Sequence, residues 1–108
     1  MRMWMIKPEL LCSQHLLGEH FEIHKAVGNM QNSGKWARAL TERGFLEPQN
    51  FLRRHDKLVE EMRKRGMKHQ SPLKTAEFNI MGKVDKNLSI NDLIKRCKNC
   101  KEKIKNDR

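Results

Sequence analysis

Nowhere among its 108 residues does the chain carry about 18 consecutive apolar residues, the length that suggests a bilayer-crossing helix. The opening Met1-Arg2-Met3-Trp4-Met5-Ile6-Lys7-Pro8 is too short, and too soon interrupted, for the apolar stretch of a secretory signal. An intracellular location, cytoplasmic or wherever the genome resides, is therefore expected. Cysteine is scarce: three thiols, an odd number, do not make a disulfide framework, which agrees with a reducing compartment. Also missing are a glycine-rich phosphate loop, an internal repeat and a low-complexity tract, which argues against nucleotide-binding and disordered classes. Acidic residues are outnumbered, 13 against 23 Lys and Arg, and the formal charge of +10 makes nucleic acid the leading partner. A chain this short fits one domain with a modest core and has no room for a separate cofactor domain.

What is present reads as helices. Pro8 suits a first helical turn, Glu9 favours the same end, and only Gly18 interrupts before Gly28, so a first helix is expected over roughly 8–27. On a helical wheel Leu16, Ile23 and Val27 fall on one arc and Leu10, Leu17 and Phe21 on another, which predicts a helix largely surrounded by protein. Between the arcs runs a polar stripe of Cys12, His15, Glu19 and Glu22. Turn formers from Asn29 to Gly34 precede a short helix from Lys35 to Arg43. Asn50 is placed to cap an amphipathic helix with Phe51, His55, Leu58 and Met62 in line and Gly66 as its stop. His69 to Gly82 has no sustained period and is expected to be an ordered loop. Ser89-Ile90-Asn91-Asp92 resembles a capping box, opening a third long helix whose lysine-rich end, Lys95 to Arg108, should fray. The expected fold is all-α, one compact domain over 1–108 with about three main helices, a short helix and ordered loops.

The string Gln14-His15-Leu16-Leu17-Gly18-Glu19-His20-Phe21-Glu22 resembles the first helix of the phage-type pyrimidine-dimer DNA glycosylases and abasic-site lyases, with the pattern Gln-His-Leu-x-x-Glu-x-x-Glu. A second block, Phe51 to Gly66, resembles that family's second long helix and its basic C-terminal turn. The likeness covers roughly 1–105 and is specific in these two blocks. It implies an enzyme that cleaves the glycosidic bond of the 5′ pyrimidine of a cyclobutane dimer and then nicks the strand by β-elimination, without a metal or cofactor. It further implies that the nucleophile is the α-amine of Met1, that Glu22 is the catalytic glutamate, and that Glu19 orients or balances charge.

An α-amine suits this role because its unperturbed pKa of about 7.7–8.0 leaves part of it neutral at physiological pH, unlike a lysine near about 10.4. Bulky Arg2 should block removal of Met1, since the removing peptidase accepts small second residues. By the same resemblance Arg2, Gln14, His15 and Lys25 lie where the family contacts phosphates or the lesion, while Phe21 stands where the family has an arginine. Arg53, Arg54, Arg63, Lys64 and Arg65 supply a basic helix and turn for phosphate contacts. The sequence stops short of the aromatic tail of the phage enzyme, which leaves the preferred lesion open. Reaching C1′ inside a duplex predicts a DNA kink with a displaced base.

Cys97-x-x-Cys100 admits three readings: a helical i, i+3 pair without a role, a helix-pinning disulfide or redox pair, or, with Cys12 and His15, a Cys3His zinc set. Trp4 and Trp36 are expected in the core. The expected partner is double-stranded DNA carrying pyrimidine dimers or abasic sites, met by a monomer with no membrane role. The competing functions are a non-catalytic DNA-binding or architectural protein on the same scaffold, and a small zinc-stabilised interaction module.

Overall fold

The computed structural model describes residues 2–68, 72, 73, 78 and 80–107. Pro8 does open a helical turn, but only the 3-10 turn Pro8–Leu10, because Leu11 and Cys12 are extended (ψ 138 and 163). That detour replaces the single helix expected from residue 8. Its physical reason is burial: Leu10, Leu11 and Cys12 are all sequestered, whereas three successive residues of one helix would be spread over about 200° of its circumference.

Helix α1 then runs Ser13–Gln31 and turns Leu16, Glu19, Glu22, Ile23, Ala26 and Val27 inward. The second apolar arc does not follow. Leu17 is 45% and Phe21 59% exposed, so α1 is covered on one face only. Asn29 links it to the next helix: its carbonyl accepts from the N–H groups of Asn32 and Gly34, and its side-chain oxygen accepts from the Ala37 N–H at 2.9 Å. Gly34, at φ 71, makes the left-handed turn that starts α2, Lys35–Glu42.

Helix α3, Phe51–Lys64, packs across α1 and buries Phe51, Leu58, Val59 and Met62, in line with the sequence periodicity. Asn50 makes no side-chain cap there. A second 3-10 turn, Pro48–Asn50, leads in, and the Asn50 amide donates to Glu47 instead. The N-terminal segment threads between these elements with Met3, Trp4 and Ile6 buried, pinned by a Met3 N–H to Phe45 carbonyl bond of 2.8 Å.

The last expected helix is two helices. Asp85, rather than Ser89, caps α4, Lys86–Arg96, accepting from the N–H groups of Asn87 and Leu88; Ser89 is fully buried. The chain extends at Cys97 (φ −131, ψ 110) and resumes as α5, Lys98–Asp107. Within this lysine-rich end Cys100 and Ile104 are buried against the core and α5 packs on the Pro8–Leu10 turn, while Arg108 lies outside the described residues. Of the expected loop, Leu73 and Phe78 pack on the core, and Phe78 lies edge-on to Phe51. Residues 69–71, 74–77 and 79 of that loop lie outside the described residues.

The result is an all-helical globule of five α-helices among the described residues, with no strand among them. Its Cα radius of gyration, 13.5 Å, is close to the value of about 13 Å expected for a compact chain of about 100 residues. None of the helices described is long and apolar enough to cross a membrane.

Candidate active site

Two turns of α1 carry the polar stripe into the protein. Glu19 is 1% exposed and Glu22 5%. Their surroundings differ. Arg54, from α3, donates through Nε and Nη2 to the two carboxylate oxygens of Glu19 at 2.5 and 2.9 Å, and through Nη1 to the Ile6 carbonyl at 2.6 Å. Charge and hydrogen bonds are thereby satisfied together, as a buried carboxylate requires. Glu22 has no such cover: its Oε2 is buried with no hydrogen-bond partner among the described residues. Burial raises its pKa above the ordinary glutamate value, against the opposing pull of the Lys25 charge. A carboxyl whose charged form is disfavoured by burial holds its proton more readily than an exposed glutamate, which suits a group that transfers protons.

Met1 lies outside the described residues. Arg2, next to it, is drawn inward: it donates to Ser89 Oγ at 2.8 Å, pairs with Asp92 at 3.5 Å and lies over the rings of Trp4 and Phe45. Its Nε is buried without a partner among the described residues. Burial lowers its pKa, while Asp92, and more weakly Glu19, raise it. Arg2 thus sits within electrostatic reach of Glu19 on α1.

The basic residues divide into two sets. Lys25, Arg53, Arg63 and Lys64 are exposed, as is Gln14. Lys25 Nζ stands 5.6 Å from the Phe21 ring centroid and 5.3 Å from that of Trp36, which is only partly buried. Arg53 also borders a cleft of about 200 Å³ together with Lys7, Lys57 and Lys86, a grouping that sequence spacing did not reveal. Arg54 and Arg65 differ from the expected phosphate contacts. Arg54 is 4% exposed with every guanidinium nitrogen bonded to protein. Arg65 pairs with Glu61 at 2.8 Å and donates to the carbonyls of Pro8 and Leu11, clamping α3 to the approach of α1.

Residues 1–75 match the family model for pyrimidine dimer DNA glycosylase. The chain belongs to that family. No curated protein and no solved structure matches it. It is accordingly a DNA glycosylase, an enzyme of DNA repair whose substrate is DNA, and the buried carboxylates of α1 fall inside the matched segment. Helices α4 and α5 lie beyond it.

Two further clusters stand out in the glycosylase. His20 and His24, one turn apart on α1, meet His55 of α3, with ring centroids 4.6 to 5.0 Å apart. The i, i+4 spacing of His20 and His24 was a usable signal; the arrival of His55 was not legible. The other cluster joins Cys12, His15, Cys97 and Cys100, whose ligand atoms all lie within 4.8 Å of one another. His15 turns Nδ1 to Cys12 Sγ at 3.2 Å and to Cys100 Sγ at 3.6 Å, edge-on to Trp4, and burial lowers its pKa. Cys97 and Cys100 are not a pair within one helix, because Cys97 stands at the break before α5.

Proposed function

We propose that this glycosylase is bifunctional, cutting the glycosidic bond at cyclobutane pyrimidine dimers and then nicking the abasic strand through an imine formed with the α-amine of Met1. The reading rests on one observation above all: Glu22 presents a buried carboxyl oxygen without a partner among the described residues, on the helix whose Glu19 interacts electrostatically with Arg2. The neutral amine attacks C1′, the N1–C1′ bond breaks and the base leaves with a proton. Opening of the C1′–O4′ bond gives the imine. Glu22 serves the proton transfers, including removal of the C2′ proton that drives loss of the 3′ phosphate; water then releases the amine. Glu19, fixed by Arg54, holds the helix face and its charge balance. An amine is sufficient for this chemistry because the imine itself is the electron sink.

Phosphate contacts fall to the exposed residues Gln14, Lys25, Arg53, Arg63 and Lys64, with Arg2 ordering the chain start; the whole chain, 1–108, acts as one domain and as a monomer. The experiment is borohydride trapping on two labelled duplexes, one bearing a cyclobutane dimer and one an abasic site, with the native chain and Glu22→Gln. An adduct on both duplexes that maps to Met1, and a loss of about 100-fold or more in Glu22→Gln, is expected. An adduct on the abasic duplex alone removes dimer recognition. No adduct on either refutes the imine.

A further inference from the structure

We propose that Cys12, His15, Cys97 and Cys100 bind a single zinc ion as a closed, tetrahedral Cys3His site that fastens the start of α1 to the α4–α5 junction. The distances are those of a common central ion. With Zn–S of about 2.3 Å and Zn–N of about 2.0 Å, tetrahedral geometry places sulfurs about 3.8 Å apart and sulfur from nitrogen about 3.5 Å. The structure has Cys12 Sγ to Cys97 Sγ at 3.7 Å, and His15 Nδ1 to the sulfurs of Cys12 and Cys100 at 3.2 and 3.6 Å. Donors this close surround one ion and leave no space for a cluster of several.

Two main-chain groups point the same way. The Cys100 N–H donates to Cys97 Sγ at 3.4 Å and the Cys12 N–H to Cys100 Sγ at 3.2 Å, the kind of outer bond that supports a metal-bound thiolate. The break at Cys97 has no glycine or proline to cause it, yet it is what brings both sulfurs of the Cys-x-x-Cys pair to the same side as Cys12. A disulfide between Cys12 and Cys97 would leave Cys100 and His15 facing each other without a function, whereas zinc uses all four. Four protein ligands leave no open position, so the ion is structural and takes no part in the glycosylase chemistry. Cys97 and Cys100 lie beyond the part of the chain that matches the family, which makes the site an addition carried by α4 and α5.

The full chain, expressed with zinc supplied and purified under reducing conditions, should contain one zinc ion per molecule. Exchange into Co2+ should give the intense visible bands of a tetrahedral ion together with thiolate-to-metal charge transfer. Cys97→Ser and Cys100→Ser should lose the metal. Where a variant does not fold, the native chain still decides: its thiols should react promptly with a disulfide reagent after chelation and be protected when Zn2+ is restored. Chelation should also lower the melting temperature by roughly 10 °C or more. Native protein without stoichiometric zinc and without a tetrahedral Co2+ spectrum, or isolated with a Cys12–Cys97 disulfide, overturns the assignment. Borohydride trapping reads the catalytic proposal independently of any of these results.

Discussion

Arg54 holds Glu19 through two parallel hydrogen bonds, with both side chains essentially removed from solvent. One turn further along α1, Glu22 is equally buried and has an oxygen with no partner among the described residues. The fold thus compensates the charge of one of two neighbouring carboxylates and leaves an oxygen of the other available.

Removing Arg54 should therefore cost stability more than DNA affinity. Arg54→Met leaves Glu19 as an uncompensated buried charge, and a loss of about 3–5 kcal/mol is expected in urea unfolding. The double variant with Glu19→Leu should recover most of that loss. A double variant no more stable than Arg54→Met would show that the pair is not coupled.

Glu22 should make stability depend on pH with the sign of a penalised charge. Because its folded pKa is raised by burial, its contribution is fully present below the ordinary glutamate value and is lost as pH rises through the folded one. Glu22→Gln should consequently be more stable than the native chain at pH 7, and the gain should vanish below about pH 4. Thermal unfolding of both proteins across that range checks it; a gain independent of pH would point to packing.

The two sets of arginines should separate in binding experiments. Arg63→Ala and Arg53→Ala are expected to keep the native melting temperature and each to reduce the slope of log affinity against log salt by about 0.9. Arg65→Ala, which breaks bonds to Glu61, Pro8 and Leu11, should instead lower the melting temperature. Fluorescence anisotropy with a duplex at several salt concentrations, paired with thermal scans, distinguishes the two behaviours.

Gly82 is required for space. A Cβ there would stand 2.3 Å from the Leu46 carbonyl oxygen and 2.7 Å from Thr41 Cγ2, where the Gln49 amide bonds both the N–H and the C=O of Gly82. Gly82→Ala should destabilise by about 1–3 kcal/mol, since backbone would have to move. Unchanged unfolding would mean that the 80–84 segment can shift freely.

The local periodicities carried much of this fold in advance. Phe51, Leu58 and Met62 are core residues of α3 because their spacing allows one face, and Glu19 and Glu22 share the inner side of α1 for the same reason. Leu17 and Phe21 show the limit: their spacing is just as helical, but no element among the described residues covers that side. The Ser89 box failed because Asp85 offered an earlier carboxylate to the first N–H groups, leaving Ser89 free to be buried against Arg2.

By itself the sequence determined the helical class, the basic character, the family pattern of α1 and α3 and the carboxylates on one face, all of which follow from short-range spacing or composition. Tertiary structure alone decided which charges are spent inside the protein and which thiols meet. Arg53 and Arg54 are neighbours in sequence, yet one is exposed and the other is consumed by Glu19, because a turn of about 100° per residue directs them to different environments. Cys12 and Cys97 are 85 residues apart, and only the packing of α5 on the Pro8–Leu10 turn brings them to 3.7 Å. No local periodicity encodes such a contact, since it is fixed by how separate helices bury their apolar faces against a common core.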